Sequence, residues 1–183
     1  MERISYSPET LFHVLTHFET ADEALRDSLR RAGFTDEAID GQLRMLGSKF
    51  LRTFALSPQE AVARLQRDFP ESFTALHPGT DGRVRLSFRY DAPVGTSGLA
   101  ADAELTPAER AAVRNILRNG CPVRTVRTSR TISTGACQLI LERTGEAGYA
   151  LRTLFPGELA PPLPLPGQAP DPFWATHLLI EFN

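Results

Sequence analysis

Apolar residues change their spacing once along this chain, near residue 80, and the change divides it into two parts. Before it they recur at three- and four-residue intervals, the period of a helix with one buried face. Leu11, Val14, Leu15 and Phe18 fall together at 100° per residue, with His13 and His17 on the opposite, polar side. Ser7-Pro8-Glu9 opens that first helix with a capping hydroxyl, a proline in the first turn and an acid near the positive end of the dipole. Thr20-Ala21-Asp22-Glu23 reads as a capping box for a second helix that Gly33 closes. A third helix is predicted over 35–45. Ser57-Pro58-Gln59-Glu60 starts a fourth that ends near Phe69-Pro70, and 46–53 matches neither period.

From Arg83 onward the period is two. Val84, Leu86, Phe88 and Tyr90 alternate with Arg83, Arg85, Ser87 and Arg89, the pattern of a half-buried strand with arginines on its outer face. Residues 91–98 read as a loop. Thr106-Pro107-Ala108-Glu109 is a capping box whose helix is predicted to run to Arg118, with Asn119-Gly120 as its stop. Strands are expected over 123–128, 137–143 and 149–155, the last two forming a hairpin, and a final strand over 177–182. Seven prolines between 156 and 172 make that segment an extended strap. Helices first and an antiparallel sheet with one intervening helix afterwards give an α+β fold. The expected organisation is a single domain, with a helical part over 1–70 and a sheet part over 83–183 that carries the strap.

A chain of 183 residues buries roughly 70% of its unfolded surface and needs no disulfide or metal staple. Cys121 and Cys137 have no metal-ligand spacing and read as small buried residues in a reducing compartment. No apolar run reaches the ~18 residues of a membrane span, and Met1-Glu2-Arg3-Ile4-Ser5 lacks a hydrophobic signal core. A soluble, cytoplasmic protein without a membrane partner is therefore expected. The net charge of −2 excludes a polybasic protein and a bulk-disordered acidic one. Its distribution is more informative. Residues 1–43 carry nine acids against four arginines, whereas 110–130 carry six arginines and no acid. Lys49 is the only lysine among 20 basic residues. Arginine's planar fork suits phosphate, although a GC-rich genome also favours it.

Two clusters could carry chemistry. His13 and His17, at i and i+4, could chelate a metal, serve as an acid or base, or stand idle on a solvated face. A zinc site wants a third ligand, and His77 and His177 are remote in sequence, so no metal or cofactor is expected. The run from Arg124 to Gly135 interleaves arginines with hydroxyls. On a strand Arg124, Val126 and Thr128 face one way, and Thr125, Arg127 and Ser129 the other. Without a nearby carboxylate such a run suits a phosphate, and it equally suits a solubilised sheet face. Gly95-Thr96-Ser97-Gly98 is a structural turn or an anion-binding loop. No GxSxG nucleophile elbow and no obvious carboxylate pair are present.

The stretches FHVLTHF (12–18), YDAPVGTSGL (90–99), RTISTGACQLILER (130–143) and YALRTLFPGELAPPLP (149–164) are, in this order of elements, where the chain resembles the barnase–EndoU–colicin–RelE superfamily of metal-independent RNases. Many of those are toxin domains of bacterial polymorphic and contact-dependent systems. The resemblance implies cleavage of RNA, whether tRNA or another cellular RNA, and a cognate inhibitor or immunity protein as partner. It places the general acid or base on His13, with His17 as the alternative. The cation at the scissile phosphate falls on Arg130 or Arg127, and the small hydroxyls on Ser133 or Thr134, and on Thr153. Arg124 would add to phosphate binding, and Tyr149 could stack on a base. The second histidine and the lysine of the EndoU pattern are missing, so the expected chemistry uses one histidine with an Arg/Thr cradle. RNA supplies its own nucleophile, the 2′-hydroxyl. The competing readings are a protein-interaction module that presents the proline-rich 159–166, and another nucleotide-directed activity such as ADP-ribosyl transfer.

Overall fold

The computed structural model describes residues 3–145 and 148–182. All four expected helices form, and the first and fourth begin at the caps read for them. In α1 (Pro8–Val14) Ser7 Oγ accepts from Thr10 N at 3.2 Å, and in α4 (Pro58–Asp68) Ser57 Oγ accepts from Glu60 N at 3.2 Å. α3 (Asp36–Arg44) is capped by Thr35. α2 (Glu23–Arg31) starts later than the capping-box reading implied. Its cap is Asp22, whose Oδ1 accepts from Leu25 N at 2.8 Å, and Thr20 lies outside the helix. Residues 46–53 form no regular element beyond one bridge between Phe50 and Gly95.

Gly41 sits inside α3 on its exposed side, and a methyl group added there meets nothing within 4 Å. Alanine removes backbone freedom from the unfolded chain without a clash. Gly41→Ala should therefore stabilise the protein by about 0.5–1 kcal/mol, read as a higher urea midpoint at unchanged slope.

These helices cover one face of a four-stranded sheet ordered β1 (Arg3–Ser5), β9 (Gly148–Pro156), β8 (Ala136–Arg143), β2 (Arg83–Arg89). Leu11 and Val14 of α1, with Leu15 and Phe18 from the 3₁₀ turn that follows it, meet Leu139, Leu141, Leu151 and Leu154 in the main core. The alternation in β2 holds: Val84 and Phe88 are buried, and Arg83, Arg85 and Arg89 point outward. A bulge shifts the β8–β9 register, so that Ile140 opposes Thr153 and Leu141 opposes Leu151. The shift keeps leucines on the core face despite the odd spacing of Leu151 and Leu154.

A second sheet is ordered β4 (Leu99–Ala101), β10 (His177–Phe182), β6 (Cys121–Thr128), β5 (Arg114–Arg118) and has a smaller core around Val126, Ile132, Leu178 and Ile180. The fold is α+β, with antiparallel pairs predominating. The exceptions are β1 alongside β9 and β10 alongside β6, which are parallel. A two-stranded ladder joins β3 (Gly95–Thr96) to β7 (Ser133–Thr134), so the expected loop at 91–98 contains a short strand.

The intervening helix requires the largest correction. α5 (Pro107–Ala111) ends after five residues, and Arg114–Arg118 is the edge strand β5, paired antiparallel with β6. Asn119-Gly120 does not stop a helix but turns a hairpin, with φ of 51° and 79°. Two consecutive positive φ values are what a two-residue primed turn demands, and Asn-Gly is the dipeptide best suited to it. Pairing with β6 outweighs the local helical preference of an Ala/Arg-rich segment.

The strap crosses between the sheets with no regular structure of its own. Trp174, in the short helix α6 (Phe173–Thr176), is buried and donates from Nε1 to Pro162 O at 3.1 Å. The proline stretch is thus anchored to its own fold at Pro162, with Leu165 and Pro166 exposed. Cys121 and Cys137 are buried free thiols, and burial pushes Cys137 up to about 12. Among the described residues no helix is long and apolar enough to cross a membrane.

Candidate functional site

Three turns converge where the two sheets meet. In the first, Val94 N donates to Thr134 O and Ser97 N to Ile132 O, both at 2.8 Å, which presents Ser133 and Thr134 at the seam. The second follows β9. Gly157 has φ +113°, a conformation L side chains rarely adopt, and its N–H donates to Ala136 O at 2.8 Å. Buried Gln138 holds this turn, donating from Nε2 to Gly157 O at 3.0 Å while its Oε1 accepts from Ser87 Oγ at 2.6 Å. The turn aims Glu158 at the seam. The third is the start of β10, where His177 stands opposite Ala101. Arg89 from the end of β2, Ser133, Thr134, Glu158 and His177 line a polar cleft of about 220 Å³, together with Ser97 and a second carboxylate, Glu104.

Its electrostatics form a chain. Arg89 Nη2 donates to Glu158 Oε1 at 2.9 Å, and Glu158 Oε2 lies 3.9 Å from His177 Nε2. His177 Nδ1 is 3.1 Å from Phe173 O and 3.0 Å from Thr176 Oγ1, and its ring stacks on Phe173 at 3.9 Å between centroids. A carbonyl only accepts, so Nδ1 carries a proton and Nε2 is the nitrogen that faces the cleft. One carboxylate thus bridges a guanidinium and an oriented imidazole, with two small hydroxyl residues beside them. Among the described residues, no group of three His, Cys, Asp or Glu side chains is placed to hold a metal ion.

Of the sequence candidates, Ser133 and Thr134 line this cleft. Thr153 lies on the outer face of the first sheet opposite Ile140. His13 is exposed at the end of α1, where its neighbours are Thr16 and Gln42, and it does not meet the arginine cluster. His17 is not on a solvated face. Its Nδ1 lies 3.0 Å from Ser48 O and 3.1 Å from Ser48 Oγ, and its ring leans on Phe155. Tyr149 is buried with its hydroxyl donating to Leu76 O, so it offers no surface for a base.

The acid-free arginine run is also corrected, because carboxylates arrive from other parts of the chain. Arg130 meets Glu109 at 2.8 and 3.1 Å, with Thr128 on the same carboxylate. Arg124 grips Asp102 bidentately at 2.7 and 3.0 Å, and Arg114 and Arg127 both turn to Glu181. Arg130, with the Thr106 backbone and Thr128, holds Glu109 well below the usual carboxylate range. These arginines fasten the second sheet, and Arg89, outside the run, is the one that reaches the cleft. Sequence reasoning missed Arg89, Glu158 and His177. The available signals were the exposed parity of Arg89 in β2 and the Pro156-Gly157 turn before Glu158.

Burial lowers His17 to about 4, the Ser48 carbonyl opposing and Lys49 and His13 adding to the shift. Between about 4 and the ordinary 6.5 the unfolded chain binds a proton that the folded chain does not, so stability rises with pH across that window. Unfolding free energies by urea should fall by up to about 3 kcal/mol from pH 6.5 to pH 4 through this group, and His17→Phe should flatten that part of the slope.

Comparison of the chain with protein-family models, with curated proteins and with solved structures finds no match.

Proposed function

We propose that the protein is an endoribonuclease that cleaves RNA by attack of the 2′-hydroxyl, and that the cleft between the two sheets is its active site. The observation that carries this reading is the Arg89–Glu158–His177 chain beside Ser133 and Thr134. A phosphate entering the cleft takes over the Arg89 guanidinium and frees the Glu158 carboxylate. Glu158 accepts the proton of the 2′-hydroxyl, the 2′-oxygen bonds to phosphorus and the bond from phosphorus to the 5′-oxygen breaks. His177, as the imidazolium, passes its Nε2 proton to the leaving 5′-oxygen while Phe173 O holds Nδ1–H. Arg89 and the two hydroxyls balance the charge on the phosphorane. The products are a 2′,3′-cyclic phosphate and a 5′-hydroxyl. The proton gained by Glu158 then returns to His177 across the gap between them.

On the resemblance, such a domain works as a toxin in the cytosol of a target cell, and the cleft is the surface a dedicated inhibitor protein would cover. Incubating the purified protein with total RNA in EDTA tests the activity. Wild type should cut, while His177→Ala and Arg89→Ala should not. Equal cutting by wild type and both variants would overturn the assignment.

A further inference from the structure

The cleft does not end at Glu158. Arg89 and Glu158 also line a second hollow with Ser87, Ala136 and Gln138, and Leu159 joins that hollow to a third beneath the strap. Together they make one trough along the outer face of the first sheet. Arg85 and Arg89, four residues apart in β2, mark about 13 Å of its length at 3.3 Å per residue.

The chemistry changes along the way. The cleft is polar and about 220 Å³, whereas the far hollow is about 580 Å³ and walled by Ile140, Leu159, Ala160, Pro161, Pro162 and Phe173. Ile140 and Arg85 face each other across β8 and β2. The polar groups at the far end are already engaged: Arg85 with Asp81 at 2.6 Å, and Asp171 with Phe173 N at 2.9 Å. An apolar pocket flanked by proline and phenylalanine, continuous with a phosphate-sized polar cleft, matches the alternation of flat base and charged backbone in nucleic acid. Only an unpaired base can enter, because a duplex keeps its base faces stacked.

We infer that this trough is a substrate track in which the hollow under the strap takes an unstacked base of the same single strand, flanking the nucleotide cut in the cleft. The inference rests on the ribonuclease reading of the cleft, and it makes the enzyme selective for single-stranded RNA longer than a dinucleotide.

The test compares a twelve-nucleotide unstructured RNA with a dinucleotide, using wild type, Ile140→Glu and Leu159→Glu, each checked for native thermal unfolding. Wild type should cut the longer RNA with a kcat/KM at least tenfold higher. The two variants should lose at least fivefold of that advantage through KM and stay within twofold of wild type on the dinucleotide. No length preference in wild type, or an unchanged preference in both variants, overturns the track. If wild type cuts neither RNA, the ribonuclease reading fails, and binding of a fluorescent twelve-nucleotide DNA strand decides the track by itself. Weakening of at least fivefold in both variants upholds it, and equal binding by all three proteins overturns it.

Discussion

Gly135→Ala should destabilise the protein by about 3 kcal/mol or more, lowering its melting temperature by roughly 10 °C. The cause is local and cannot relax cheaply. A β-carbon at Gly135 would lie 2.2 Å from Tyr90 O and 3.2 Å from Ala92 O, and both are backbone atoms. Tyr90 cannot retreat, because its own N–H donates to Gly135 O at 2.9 Å and its hydroxyl to Asp68. Gly95 is constrained in the same way from the other side of the seam, where an added β-carbon would lie 2.5 Å from Lys49 O and Pro156 Cβ. These two glycines let the β3–β7 ladder press against the first sheet, which sets Ser133 and Thr134 beside Arg89. Differential scanning calorimetry checks the prediction, and Gly41→Ala, where the added methyl finds open space, is the matched control moving the opposite way.

His177→Ala should lower the rate of RNA cleavage by about 10²- to 10⁴-fold, the usual contribution of a positioned acid or base. The loss falls on kcat, since the ring is held by Phe173 O and the Phe173 stack rather than by substrate. His13→Ala should stay within about twofold of wild type, because His13 is exposed on α1 and meets none of the cleft residues. Steady-state rates on a defined oligoribonucleotide separate the two histidines. Because His177→Ala also removes the stack on Phe173 and the Nδ1 hydrogen bond, its thermal unfolding is measured beside the rate.

Much of the fold could be read from local chemistry. Ser7, Ser57 and Thr106 each cap the helix they announce, because a cap depends on residues three positions away. The two-residue alternation of β2 was equally legible, since one face of that strand is buried under helices. Two things failed. Residues 114–118 form a strand because they pair with the adjoining β6 through the Asn119-Gly120 turn, a local hairpin signal that a helical reading of the segment overrides. The arginine run looked unpaired because its carboxylates, Asp102, Glu109 and Glu181, lie outside it, the last more than fifty residues downstream of Arg127. The cleft was hidden for the same reason. Arg89, Ser133, Glu158 and His177 come from four separate segments, and of the cleft's residues only Ser133 and Thr134 are individual candidates in the sequence, although Glu158 lies within the 149–164 stretch.

The most direct measurement is the chemistry of the cut ends. A defined RNA incubated with wild-type protein in EDTA, with mass spectrometry of the fragments, should yield 2′,3′-cyclic phosphate and 5′-hydroxyl termini. A single 2′-deoxy substitution should abolish the cut at the bond it precedes, and His177→Ala should leave the RNA intact. Termini carrying a 5′-phosphate, cleavage that persists through the 2′-deoxy position, or wild-type cutting by His177→Ala would contradict the cleft as a site of 2′-hydroxyl attack.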